Sequence, residues 1–201
     1  MSVAGLTWQH YQLLLAELGS DRTSRVAYDA GTLEIRMPSQ FHEILNRLLS
    51  KIIFALAEAL ELGLVDIGST TLNRPDLNQG IEPDSCFYIQ NAHRVQGLNP
   101  EIPADCPPDL AIEVDIASAS DKKLAIYRAI GIPELWVYRK NQLKIWHLQE
   151  QTFLEAEYSL AFPSVSATQL QTWITLRESQ TDVTVIKAVR QFCQSIHETD
   201  S

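Results

Sequence analysis

Cysteines and basic residues are scarce in this sequence, and long apolar runs are missing altogether. Three cysteines, Cys86, Cys106 and Cys193, occur in 201 residues; the number is odd and the separations fit no zinc motif, so neither a disulfide framework nor a structural zinc is expected. No basic and apolar leader precedes them, which predicts a reduced, cytoplasmic setting. No apolar run approaches the roughly 18 residues that cross a bilayer. Glu, Lys or Arg interrupts each candidate, so no membrane partner is expected. Lys and Arg total 16 against 25 Asp and Glu, a net charge of −9, which excludes a protein that coats DNA or an anionic membrane through surplus cations. Repeats and low-complexity tracts are also missing. What is there, 45% hydrophobic and 20% charged, is the composition of one soluble domain able to bury about 70% of its unfolded surface.

Local signals then divide the chain. Thr7 can cap a helix carrying Leu13, Leu14 and Leu18, with Gly19 as its stop. Residues 25–28 and 32–37 flank Asp29-Ala30-Gly31 and predict a β-hairpin, Gly31 supplying the positive φ of a tight turn. The strongest helical pattern covers 40–62, where Phe41, Leu45, Leu48, Ile52, Leu56 and Ala59 form one stripe and Gly63 ends it. Short strands are expected at 64–67, 70–73 and 85–89, with a turn at Asn78-Gln79-Gly80 and a surface loop over 90–108. A strand at 110–116, a helix at 120–130 stopped by Gly131 and Pro133, and a strand at 135–138 read as a β-α-β unit. A second hairpin runs through Lys140-Asn141 to 143–148, and helices follow at 167–176 and 182–196. The fold class is α/β, a mixed β-sheet with a central β-α-β unit, flanking helices and edge hairpins, in one domain whose core spans about 24–148.

Charge is polarised along this order. Residues 76–121 hold nine acids and one base, Arg94, a net −8; residues 122–147 hold six bases and one acid, Glu134, a net +5. Two ordinary solvated surfaces would explain that. An acidic group beside a basic neighbourhood is also what a divalent cation and a phosphate substrate would jointly require.

The strand at 110–116 favours the second reading. Leu110, Ile112, Val114 and Ile116 point to one face, while Glu113 and Asp115 share the other. Two carboxylates two residues apart lie roughly 6.6 Å from each other along a strand, and at an effective dielectric near 20 they repel by about 2.5 kcal/mol. Water, a basic side chain, a shared proton or a metal must offset that. In a central strand water is the least available. Asp84, after Pro83 at the entrance of another short strand, is a third carboxylate of interest.

Pro83-Asp84, Glu113-Val114-Asp115 and a Lys-bearing helix together resemble the PD-(D/E)xK nuclease pattern. Further on, Pro108-Asp109-Leu110-Ala111-Ile112-Glu113-Val114, Lys123 with Tyr127, and Gly131-Ile132-Pro133-Glu134-Leu135-Trp136-Val137 resemble the signature of the Uma-two family of putative restriction endonucleases. Asp29-Ala30-Gly31, Met37-Pro38 and His42 are similar to that family's entry segment. The resemblance runs from about Thr7 to Leu148. It implies a restriction-endonuclease-like fold, with Asp84 and Glu113 as metal ligands and Lys123 as the lysine that assists the attacking water. Position 115 departs from the wider pattern, which places the catalytic lysine there; here it is Asp115, a further candidate metal ligand. Lys122 is the rival to Lys123.

The resemblance thus implies Mg²⁺ or Mn²⁺ on Asp84 and Glu113, to which Asp115 is added as a candidate ligand, with DNA as substrate, phosphodiester hydrolysis, and a homodimer if both strands of a duplex are cut. An inactive binding or self-assembly module of the same fold, and a phosphoesterase acting on small nucleotides, are the alternatives. His42 is either a contact to phosphate or water or an ordinary helix histidine. Glu43 and Arg47 read as a surface ion pair, and Glu134 as a residue that fixes a turn. Trp136, Tyr138 and Trp146 read as one core face, with stacking beside Arg139, Lys140 and Lys144 as the other option. The cysteines read as inert.

Overall fold

In the computed structural model, which describes residues 1–19, 24–98, 100–103, 105–114 and 121–199, the first strand is β1 (Ser2–Ala4). Reciprocal bonds between Thr7 and His10 then cap α1 (Trp8–Leu18), which ends at Gly19 with φ 69°. Of its expected leucines only Leu14 packs on the core, Leu13 and Leu18 being exposed, and the fully buried residue is Tyr11. The Tyr11 ring stacks on Tyr28 at 4.8 Å, with Trp8, Leu14 and Leu15 packed around the pair.

β2 (Arg25–Asp29) and β3 (Thr32–Arg36) form the expected hairpin, with positive φ at both Ala30 and Gly31. The long helix is α2 (Gln40–Ala59), capped by Ser39 and stopped before Gly63, at Leu60 and Glu61, the latter with φ 55°. Leu45, Leu48, Ile52 and Leu56 are buried as the stripe predicts, whereas Phe41 is exposed at the helix entrance. β4 (Val65–Gly68), β5 (Leu72–Arg74), β6 (Gln79–Ile81) and β7 (Ser85–Tyr88) follow. Next come β8 (Leu110–Val114), α3 (Asp121–Ile130), β9 (Glu134–Arg139), β10 (Gln142–Gln149) and β11 (Thr152–Ala156). α4 (Ala167–Leu176) and α5 (Asp182–Thr199) close the order.

Two sheets result. One has the order β1-β3-β2-β6-β5, and the other β11-β10-β9-β8-β7-β4. The larger sheet is mixed: β8 and β9 are parallel, and the other pairs are antiparallel. α3 makes the parallel crossover, so the expected β-α-β unit lies at the sheet's centre. The first hairpin, however, belongs to the smaller sheet, joined there by β6, which the turn signals at Asn78-Gln79-Gly80 obscured.

Each face of the large sheet buries a cluster. Ile112, Val114, Trp136 and Ile145 pack with α2, α4 and α5, while Ala111, Leu135 and Val137 pack with α3 and the smaller sheet. β8 is buried along its whole length between β7 and β9. Solvent therefore cannot offset charge on it.

Candidate active site

The site forms where β7 and β8 meet under α3. Ser85 pairs with Ile112, which brings Asp84, one residue earlier, beside Glu113, one residue later; cross-strand neighbours of this kind sit about 4.5–5.5 Å apart at Cβ. The main chain of Asp84 is fixed at both ends, its N–H donating to Ile112 O at 3.2 Å and its carbonyl accepting from Asn46 Nδ2 at 3.0 Å. Oδ2 of Asp84 accepts from the Val114 amide at 2.7 Å and lies 2.9 Å from His42 Nε2. Oδ1 is buried and has no hydrogen-bond partner among the described residues.

Glu113 meets two cations. Lys123 Nζ, on the first turn of α3, lies 2.6 Å from Oε1, and one terminal nitrogen of Arg36, from β3 of the other sheet, lies 3.0 Å from Oε1 and 3.3 Å from Oε2. Asp84, Glu113, Lys123 and His42 are 1%, 4%, 5% and 6% exposed. Four ionisable groups thus share a space nearly closed to water.

Their environments push the two carboxyls apart. Burial raises Asp84 above the usual aspartate range, the neighbouring Glu113 adds to that, and His42 only partly opposes it. Burial would raise Glu113 too, but Lys123 and Arg36 outweigh it and hold the carboxyl below its ordinary range. Tyr127, one turn after Lys123, is pushed well above the usual phenol range by burial and by Glu113 and Asp84. Its hydroxyl is buried with no hydrogen-bond partner.

Of the residues singled out in the sequence, Asp84, Glu113, Lys123 and His42 converge. Asp115 lies outside the described residues, as does the side chain of Lys122. Arg36 is the residue that sequence reading missed. Nothing local marks it, since it reaches Glu113 across 77 positions from a separate sheet. Glu43 and Arg47 form the expected exposed pair, at 3.6 Å. Glu134, fully buried, accepts from Trp136 Nε1 and from the amides of Leu160 and Ala161, so it ties a distant loop to the sheet. All three cysteines are free and buried.

The aromatic residues divide differently from the expectation. Trp136 pairs with Ile145 and Tyr138 with Leu143, so even positions on β9 share a face with odd positions on β10. Trp136 and Tyr138 join the core on the α2 side, and Trp146 points to the α3 side.

Among the described residues no group of three or more His, Cys, Asp or Glu is placed to hold a metal ion. The donors present nonetheless suit a hard divalent cation. Asp84 Oδ1 has a lone pair without a partner, and Glu113 Oε2 is engaged only at 3.3 Å. A partnerless buried carboxylate oxygen is costly unless something binds it.

The mixed sheet, with parallel β8 and β9 joined by the crossover helix α3, is a restriction-endonuclease-like fold. The family described as "Putative restriction endonuclease" (Uma2) matches residues 8–179, and the chain belongs to that family. A crystal structure described as a putative nuclease belonging to DUF820, from Anabaena variabilis ATCC 29413, is similar in fold. Its TM-score is 0.55 at 17% identity, over 84% of this chain and 99% of that one. No curated protein matches the sequence.

Proposed function

We propose that the protein is a metal-dependent endonuclease that hydrolyses phosphodiester bonds in DNA. The observation that carries this reading is the 2.6 Å contact of Lys123 with Glu113, beside an Asp84 oxygen that has no partner. Asp84 and Glu113, with Asp115, would hold Mg²⁺ or Mn²⁺. A divalent ion there lowers the pKa of a bound water and polarises the scissile phosphate.

The chain's own residues do the rest. The Val114 amide and His42 fix Oδ2 of Asp84 and so aim Oδ1. Lys123, held by Glu113, donates hydrogen bonds from Nζ to orient the attacking water and to the phosphate oxygens as negative charge grows on them. Arg36 adds a second positive charge at the same carboxylate. In the reaction the water oxygen bonds to phosphorus and the ester P–O bond breaks; the water gives one proton to solvent and the leaving alkoxide takes one from solvent, so atoms and charge balance. The buried site excludes bulk water, so these charges act at low effective dielectric. Cleavage of both strands of a duplex calls for two such sites and hence a homodimer. The cytoplasm, where thiols stay reduced, suits three free cysteines.

Incubation of plasmid DNA with Mg²⁺ or Mn²⁺ tests the reading. Wild type is expected to cut and to stop with chelator, and Asp84→Ala, Glu113→Ala and Lys123→Ala to lose activity by at least 100-fold. Undiminished cutting by all three variants overturns it.

A further inference from the structure

On the sheet face that carries Glu113 lies a second feature. A cleft of about 390 Å³ opens where the β9–β10 hairpin meets α3, lined by Leu124, Val137, Arg139, Lys140, Lys144 and Trp146 among others. It adjoins the carboxylates. Val137 is paired in register with Glu113 across the parallel β8–β9 ladder, so one strand spacing, about 4.8 Å, separates the two main chains. Leu124 directly follows Lys123: one residue reaches the carboxylate and the next lines the cleft.

Its chemistry is that of an electropositive groove with an aromatic floor. Leu124, Val137 and the half-buried Trp146 indole are apolar, and no acid among the described residues lines the cleft. Lys144 is neutralised by Glu155 at 2.7 Å. Arg139 and Lys140 are exposed and have no ion pair among the described residues. The tight turn holds them in place, with φ 51° at Lys140 and 61° at Asn141. In a chain of net charge −9, two unpaired cations beside an indole are a local exception. A larger cleft of about 1010 Å³, on the opposite side of β10 and β11, is lined by Glu155 and Glu157 and by no cation. It would repel a polyanion.

We propose that the hairpin cleft is a subsite for an unpaired nucleotide of the nucleic-acid strand flanking the cleaved bond. Arg139 and Lys140 hold its phosphates, and Trp146 takes the face of its base. Cation-lined grooves with aromatic platforms bind single strands in this way, because every base has a π-face and every phosphate a charge. A duplex offers only its phosphates here. The inference rests on the endonuclease reading for what lies at Glu113, but binding can be measured apart from cutting.

The test is fluorescence anisotropy of a labelled oligothymidine and of a duplex of equal length, in EDTA, so that no cutting occurs. Wild type is expected to bind the single strand more tightly. Arg139→Glu with Lys140→Glu is expected to weaken that binding tenfold or more and to lower the slope of log K against log salt by between about one and two. The milder Arg139→Gln with Lys140→Gln pair, with melting measured on both, separates loss of binding from loss of folding and is expected to fall in between. Trp146→Ala is expected to erase the preference for single strand. Wild-type affinity in either paired variant, or a wild type that binds no single strand, overturns the subsite. A wild type that binds as expected yet never cuts plasmid with Mg²⁺ sinks the endonuclease reading and leaves the subsite standing. Cutting by wild type together with unaltered binding by the variants does the reverse.

Discussion

Nε2 of His42 lies 2.9 Å from Oδ2 of Asp84, while the other oxygen of that buried carboxylate has no partner. Burial and Glu113 raise the Asp84 pKa despite the histidine, and Glu113 is held low by Lys123 and Arg36. These shifts have opposite consequences for stability. A raised carboxyl binds its proton more tightly in the folded state. Its cost is absent in acid, sets in as pH rises through the unfolded value of about 3.9, and is complete above the folded value. A lowered carboxyl stabilises above its unfolded value of about 4.3 and loses that contribution as pH falls through its folded value. At neutral pH Asp84→Asn is therefore expected to match or exceed wild type in stability, by about 1 kcal/mol, while abolishing cleavage. Glu113→Gln should be less stable than wild type. Urea denaturation at pH 7 checks both signs.

The buried contact between Lys123 and Glu113 predicts strong coupling. Removing either partner leaves an uncompensated charge, at a cost of about 3–5 kcal/mol for a pair this buried. Arg36 remains beside Glu113 in Lys123→Met, so that variant should lose less than Glu113→Gln, which leaves the buried Lys123 without its carboxylate. The double variant should lose less than the sum of the two singles. A double-mutant cycle by chemical denaturation reads the difference, expected to be at least about 1 kcal/mol.

His42 acts on Asp84, and its removal should therefore appear in a pH profile. Without that partner only the Val114 amide still opposes burial and Glu113, so the Asp84 carboxyl rises further. In His42→Ala the acidic limb of the cleavage profile should move to higher pH, with activity partly recovered in mildly alkaline buffer. A profile that falls uniformly, with its limb in place, would assign His42 to another task.

How much of this was legible in the sequence depends on how local each signal was. Thr7 as a cap, the turns at Ala30-Gly31 and Lys140-Asn141, the α2 stripe and the β8–α3–β9 unit all follow from residues within a few positions of one another. Asp84, Glu113, Lys123 and His42 were legible as a set only through the family resemblance, and the fold brings the four together. β1, β6 and β11 were not legible, since strands of three to five residues owe their existence to distant partners. Arg36 looks like any strand-end arginine until the smaller sheet sets it against Glu113. The division into two sheets was hidden for the same reason.

Gly80 shows how a local signal can mislead, and it supplies a further prediction. Beside Asn78 it reads as a turn, and Asn78 does take a left-handed φ of 50°. Gly80 itself lies within β6, paired with Tyr28 on one side and Asn73 on the other. A Cβ there would stand 2.4 Å from Asn73 Oδ1 and 2.6 Å from the Tyr11 hydroxyl. Those two atoms are hydrogen-bonded to each other at 3.3 Å, and Tyr11 is fully buried against Tyr28. The exposed Asn73 amide can swing away at the loss of that hydrogen bond, but Tyr11 cannot move without breaking the Tyr28 stack that docks α1 on the smaller sheet. The glycine is thus required by close approach and not by its backbone angle. Gly80→Ala should cost about 1–3 kcal/mol, as overpacking does in a filled core. Because β6 also pairs with β2, which holds β3 and with it Arg36, the variant should weaken the hold of Arg36 on Glu113 as well. Thermal melting reads the first effect. A smaller stability difference between Arg36→Ala and its parent in the Gly80→Ala background than in wild type reads the second, and equal differences in the two backgrounds would show that the smaller sheet absorbs the methyl locally.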